Sequence, residues 1–450
     1  MTAAPRTTGS GTSRPAASPD VPPARAGRAE AARFVAARTV PGFARPRAMR
    51  AYAATLRALR ARHGGAPVLV RGLSGTVLVL LDPQDMRQFY AEPVSCPAPD
   101  AQDPQAPQDP PDRPDPPDPH KSLIRRDHER REEQRRINDQ VLAAGAPVHP
   151  SCGPFLGVIA EEARHLTAAD TLRLARARRA VARTGRRIVL GDAAAGDEEL
   201  AGWLSRLRGA GNWPGLRKAR GRAARTVYDR TTARIAEYAA RAEPHTLVGR
   251  ARGHADPAGQ AYHWLLAMDT VPGTLLRTLL LLGAHPAEQD TAAAEARAAG
   301  PRAGGAALGE LPRLRACVRE SLRLYPVVPD LIRVTRAETE WRGVRYPAGT
   351  SVLLPALFHQ RDPEHVPAAH VFVPGRWTTP GADRDIRMAP FSHGAGRCPG
   401  DQLGLLVTAA LCAEVLRGHR VAGGRPVLDP PGPLPATLDP QGIRLTLTRR

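Results

Sequence analysis

The chain has 450 residues, 42% of them apolar, enough to bury a large core as one big domain or two ordinary ones. Its net charge of +20 raises a nucleic-acid partner, but Lys121 and Lys218 are the only lysines, and the arginines are spread along the chain with few aromatics between them. With abundant Ala, Gly and Pro, that is the bias of a GC-rich coding sequence, and nucleic-acid binding is not expected. No run of about 18 apolar residues is present and the N-terminus lacks the apolar centre of a secretory signal, so a soluble, cytoplasmic protein without membrane contact is expected. Five scattered cysteines, Cys96, Cys152, Cys317, Cys398 and Cys412, contain no C-x-x-C pair and give no disulfide framework.

Residues 1–28, rich in Pro, Ser, Thr and Ala, read as a disordered tail. Helical pattern begins near Ala29. A second helix, Ala48 to Arg62, leads through Gly64-Gly65 into a hairpin of Val68–Gly72 and Thr76–Leu81, and a short helix follows at Pro83 to Tyr90. Between Pro97 and Pro119, ten prolines and six aspartates in 23 residues rule out a helix or central strand. This is an extended loop insertion, more often inert than a substrate lid or partner-binding loop. Arg125 to Leu142 is basic and helical, and Pro154 to Ala240 is mostly helical, with breaks around Gly191–Gly196 and Gly209–Gly215. A flexible break spans Gly249 to Gly259.

Gln260 to Gly283 is the most apolar long helix, and a helix apolar nearly all round is central. Asp269 and Thr270 are its conspicuous polar residues, and Pro272 cannot donate to the carbonyl of Met268, so a kink is expected beside them. A helix at Glu310–Tyr325 precedes short strands at Leu331–Val334, Glu340–Tyr346 and Ser351–Pro355. A loop-rich segment carrying Pro374-Gly375-Arg376-Trp377 leads to a last helix, Leu403–Leu416, and a strand, Arg444–Thr448.

The sharpest chemistry lies at Phe391-Ser392-His393-Gly394-Ala395-Gly396-Arg397-Cys398-Pro399-Gly400. An isolated cysteine is usually a small buried apolar residue. This one ends a Gly-rich loop at the threshold of a helix, where free amides and the positive end of the helix dipole favour a thiolate, and the glycines let the backbone pass close to a flat partner. Phe-x-x-Gly-x-x-x-Cys-x-Gly, at Phe391, Gly394, Cys398 and Gly400, resembles the haem-thiolate loop of the cytochrome P450 superfamily. Members of that family usually carry a basic residue two positions before the cysteine; here Gly396 stands there, with Arg397 one position later.

Glu320 and Arg323, three apart on a helix, face the same way. The same spacing at Glu30/Arg33, Glu132/Arg135 and Glu161/Arg164 reads as surface pairs. In its setting before Pro326, Arg333 and Arg376, the Glu320/Arg323 pair resembles the family's Glu-Arg-Arg network, which implies a buried cluster of Glu320, Arg323 and Arg376 fixing the cysteine loop. Asp269-Thr270 resembles the family's acid-alcohol pair on the distal side of the haem, with Asp269 relaying protons and Thr270 positioning dioxygen. Leu266 and Ala267 replace the small pair that usually precedes it, and Pro272 is unusual.

The resemblance covers about Glu30 to Arg450 and is most specific from Ala261 to Leu416. It implies a mostly α-helical, triangular fold with small β-sheets as a single domain, 29–450, with haem b (iron protoporphyrin IX) between the central helix and the cysteine-loop helix. Cys398 would be the iron ligand. Arg333 and Arg135 would hold the propionates, with Arg397 or His393 standing in for the missing cation, and Arg131 replaces the family's tryptophan near Arg135. The implied activity is a monooxygenase of secondary metabolism, a monomer that inserts one atom of dioxygen into a small apolar substrate. A ferredoxin-type donor, steered by Arg130 or Arg131, would supply the electrons. A peroxide-using or isomerising haem-thiolate enzyme, a non-enzymatic haem sensor and a basic nucleic-acid binder stay open as alternatives.

Overall fold

A computed structural model describes residues 22–39, 46–72, 75–91, 128–210, 217–254, 256–300, 310–430 and 432–450. The N-terminal tail is described only from residue 22, and the Pro/Asp-rich loop 97–119 lies outside the described residues. The elements run α1 (Arg28–Thr39), α2 (Pro46–Arg62), β1 (Val68–Gly72), β2 (Gly75–Val79), α3 (Pro83–Ala91), α4 (His128–Val141), α5 (Cys152–Ala163) and β3 (Thr171–Arg173). Then come α6 (Leu174–Leu190), α7 (Glu198–Ala210), α8 (Arg217–Arg241), α9 (Leu247–Arg250), α10 (Pro257–Met268), α11 (Val271–Ala284), α12 (Pro286–Ala298) and α13 (Pro312–Leu324). The rest are β4 (Leu331–Val334), β5 (Thr339–Trp341), β6 (Val344–Tyr346), β7 (Ser351–Leu354), α14 (Ala356–Gln360), α15 (Asp401–Gly418), β8 (His419–Arg425) and β9 (Arg444–Arg449). The architecture is mostly α with small sheets, as the sequence implied.

Strand alternation builds a sheet of order β1-β2-β7-β4, in which β1 and β2 form the expected hairpin and β2 runs parallel to β7. Val68, Val70 and Val79 face one way, onto Phe34 of α1 and the Met49, Tyr52, Leu56, Leu59 stripe of α2, whose three- and four-residue spacing makes one helix face. Leu78, Leu80, Val352 and Leu354 face the other way, onto Met86, Phe89 and Tyr90 of α3. The sheet thus fixes α3, which the cysteine loop abuts.

The apolar run folds as α10 and α11, with the break at Asp269-Thr270 where a kink was expected. There the amides of Asp269 and Thr270 reach back only three residues, to Leu266 O (3.2 Å) and Ala267 O (3.1 Å), and Pro272 has no amide to donate. Taken as one element, Pro257–Ala284 is long and apolar enough to cross a membrane, contrary to the expectation from the sequence. Two thirds of its apolar window is buried inside the protein, as in a core helix. It packs on α6, α8, α13 and α15.

Three other expectations change. Glu340–Tyr346 is a hairpin rather than one strand, because Arg342 and Gly343 both take positive φ (50° and 80°), the turn that joins two strands tightly. The Gly249–Gly259 break holds the end of α9 and the start of α10, where the Asp256 carboxylate accepts the Gly259 amide and Pro257 takes the first helical position. Strands β3 and β8 pair with β9 and had no clear alternation to announce them.

His359 of α14 is fully buried, with Nε2 against Leu80 O at 3.0 Å and no partner for Nδ1, and burial pushes its pKa down to about 4. The unfolded imidazole takes up a proton near pH 6.5 and the folded one resists until about 4, so the neutral ring's stabilisation is complete above 6.5 and lost as pH falls between them. We expect a loss on the order of 3 kcal/mol across that window, which denaturant titrations of wild type and His359→Gln at pH 7 and pH 4 would measure; equal pH dependence in the two would contradict it.

Candidate functional site: the cysteine loop and the central helix

The loop before α15 is held by its own backbone and by α4. The Cys398 amide donates to Phe391 O at 2.8 Å, and Phe391 packs at the edge of the main core. Ser392 and Gly394 take φ of 63° and 61°, and a Cβ on Gly394 would overlap the carbonyl oxygen of Tyr90. Arg135 donates through Nη1 to Arg397 O (2.6 Å) and Ala395 O (3.2 Å), while its Nε bonds Asp139 at 2.9 Å. The Arg397 Nε bonds Asp401 in the first turn of α15 at 2.8 Å. Both arginines offered as propionate partners therefore brace the loop.

The third, Arg333, is buried, donates to Phe89 O and lies 4.1 Å from the centre of the Phe89 ring. His393 meets Tyr90 edge-on with ring centres 5.7 Å apart. Arg333, His393 and Gly394 thus converge on the end of α3, on one side of the loop.

Among the described residues all four cysteines are free, and Cys398 alone is exposed. Its sulfur nevertheless has protein close on most sides, so desolvation raises the thiol pKa and the Asp401 carboxylate adds to the rise; the Gly400 amide, Arg135 and Arg397 pull it only part of the way back toward the thiolate. Gly400 is the last residue before α15, whose body is almost entirely buried.

A cluster behind the loop fixes its approach. The Glu320 carboxylate, fully buried, accepts Arg323 Nε and Nη2 (2.9 and 2.8 Å), Arg376 Nε (3.2 Å), Trp377 Nε1 (2.8 Å) and the Val373 amide (3.0 Å). Arg323 spends its remaining donors on Gln360 O, Ala369 O and Val371 O, and Arg376 on Pro367 O and Ala368 O. The cluster thereby ties α13 to the backbone of residues 360–377. The other Glu-x-x-Arg spacings form no such pair: Glu30 binds Arg62, Arg135 binds Asp139, and Arg164 bonds the backbone of Glu161.

On the central helix, Ala267 and Thr270 are exposed while Met268 and Val271 beside them are buried. The Thr270 hydroxyl donates to Ala267 O at 2.9 Å. Asp269 forms an ion pair with Arg208 of α7, a partner the sequence gave no means of choosing among 62 arginines. Asp269 and Thr270 share a cavity of about 280 Å³ with Arg277, whose Nε donates to Leu438 O at 2.8 Å. Arg277 was overlooked, although it is the one charged residue in the α11 run. Asn138 bridges Trp264 and Gln260, at 2.7 and 2.9 Å, and so ties α4 to α10.

Asp362, Glu364 and His365 bring three metal-type donors together elsewhere. Arg60 already holds Asp362 at 2.5 Å and Glu364 at 2.7 Å, so the group is neutralised from within.

Residues 266–446, which include the central helix, the Glu320 cluster and the cysteine loop, match the family model Cytochrome P450. Through this stretch the chain is similar to the cytochrome P450 superfamily. It is similar to the cyclooctat-9-en-7-ol 5-monooxygenase of Streptomyces melanosporofaciens, 36% identical over 214 residues, 44% of this chain and 46% of that protein. It is 35% identical over 178 residues to the mitochondrial 25-hydroxyvitamin D-1 alpha hydroxylase of Mus musculus, 38% of this chain and 34% of that one. The cytochrome P450 monooxygenase FCK2 of Fusarium pseudograminearum is 37% identical over 118 residues, a quarter of this chain and 21% of its own. The chain thus aligns with less than half the length of these relatives. A cytoplasmic location does not stand: several cytochrome P450 relatives, from mouse and rat, are mitochondrial, beside a bacterial one.

Proposed function

We propose that the chain is a cytochrome P450, a haem-thiolate monooxygenase that inserts one atom of dioxygen into a small lipophilic substrate, with electrons from a ferredoxin-type donor. The observation that carries the reading is Cys398, the one exposed sulfur among the four described cysteines, at the start of a buried helix and on a loop held by Arg135. Those features fit haem b: an open sulfur with a backbone amide directed at it, and an open stretch of central helix at Ala267 and Thr270. Haem would supply the redox-active iron at which dioxygen is reduced.

The chain's own residues supply the rest. Gly400, Arg135 and Arg397 favour the thiolate of Cys398. Arg333, with His393, would hold the propionate edge near Tyr90. Asp269, released from its ion pair with Arg208, would take up a proton at its carboxylate, and Thr270, freed from Ala267 O by a small rotation, would pass it on. Phe391, Gly394 and Gly400 shape the loop. Residues 29–450 are proposed to form one haem domain, acting as a monomer. Names of relatives that refer to a cyclooctatenol and a hydroxyvitamin D support a lipophilic substrate class. Arg130 and Arg131, whose side chains lie outside the described residues, are proposed to steer the donor.

Thr270→Ala is expected to lower the product formed per reductant consumed by about tenfold or more, with little change in substrate affinity. Unchanged coupling would remove Thr270 from the proton path. Turnover with peroxide and no reductant, matched by none with the donor, would favour the peroxide-using alternative.

A further inference from the structure

We propose that the cleft between α6, α7 and the far face of α10 is a second binding site, for an organic anion with an apolar body. Its volume is about 790 Å³, the size that encloses a small organic molecule. Leu265, Met268, Asp269 and Pro272 line it, spaced three and four apart, with Leu266 at its edge, so it lies mainly on the helix face away from Ala267 and Thr270, although Arg178 and Asp269 also line the cavity that holds Thr270. Cys398 is not among its lining residues.

Its chemistry is lopsided. Six arginines line it, Arg176, Arg178, Arg179, Arg183, Arg186 and Arg208, against two carboxylates, Glu198 and Asp269. Three of the six are committed: Arg183 pairs with Glu162 at 2.8 Å, Arg186 with Glu198 at 3.4 Å, and Arg208 with Asp269. Arg176 bonds only the carbonyls of Ala169 and Thr171, and Arg178 and Arg179 have no carboxylate partner among the described residues. Three guanidiniums without a carboxylate partner on one concave wall suit an anion with planar oxygens. Leu204, Leu265 and Val181 give the same cleft an apolar wall, which a bare inorganic ion would leave wet. An anion here would also compete with Asp269 for Arg208.

Isothermal titration of the full chain with dodecanoate, dodecanol and sulfate tests the site without reference to haem or turnover. Dodecanoate is expected to bind about tenfold or more tighter than either alternative. Arg178→Gln/Arg179→Gln should weaken it by about tenfold or more, Arg178→Lys/Arg179→Lys should restore part of the loss, and Arg345→Gln/Arg449→Gln, exposed and remote, should leave it unchanged. Equal binding of dodecanoate and dodecanol, equal binding of sulfate, or equal loss in the remote variant would overturn the proposal.

Discussion

Glu320→Ala is expected to yield little folded, haem-loaded protein. The substitution leaves two guanidiniums, Arg323 and Arg376, beside an empty space and removes the acceptor of the Trp377 indole and the Val373 amide. Removing one partner of a buried charge cluster costs about 3–5 kcal/mol, a large share of a typical domain's 5–15 kcal/mol. Glu320→Gln, which keeps the shape and part of the acceptor capacity, should lose less than the alanine. Thermal unfolding and haem content per chain measure both. A Glu320→Ala protein with wild-type melting temperature and haem content would mean that Arg323 and Arg376 are satisfied by their backbone carbonyls alone.

Gly394→Ala is the second large effect. At φ 61° a side chain strains the backbone, and the added carbon overlaps Tyr90 O, so either the loop or the end of α3 must move. The combined cost is about 2–4 kcal/mol. Because Arg333 and His393 meet α3 at the same place, the displacement should also change how far Cys398 is open. In a Cys96→Ala background the other described cysteines are buried, so the rate of thiol labelling reports on Cys398. An unchanged melting temperature with an unchanged labelling rate would show that the loop does not rest on Tyr90.

The parts of this account that were legible in the sequence are those where one residue type has few alternatives. Cys398 before an apolar helix and Pro272 in the central helix each announce a local requirement, whereas Glu320 three before Arg323 stood out only through its setting, since the same spacing recurs at Glu30/Arg33, Glu132/Arg135 and Glu161/Arg164. The partners were not legible when many candidates compete. Nothing in the sequence selects Arg208 for Asp269, or sets Arg135 and Arg397 to bracing the loop, because those choices follow from how α4, α7 and α10 cross. The hairpin at Arg342-Gly343 was hidden for a similar reason: an arginine at positive φ carries no turn signature, and its ion pair with Asp85 at 2.9 Å is a tertiary contact. The kink was foreseen from Pro272 alone, since the missing amide is a property of the residue and not of its surroundings.

The most direct test of the central claim is the absorption spectrum of the reduced protein with carbon monoxide, recorded for the wild type and for Cys398→Ser and Cys398→His. The wild type should give the long-wavelength band of a ferrous haem bound through thiolate, and both variants should lose it. A wild-type band at the shorter wavelength of imidazole or neutral ligation, or one that survives the loss of Cys398, would contradict the claim.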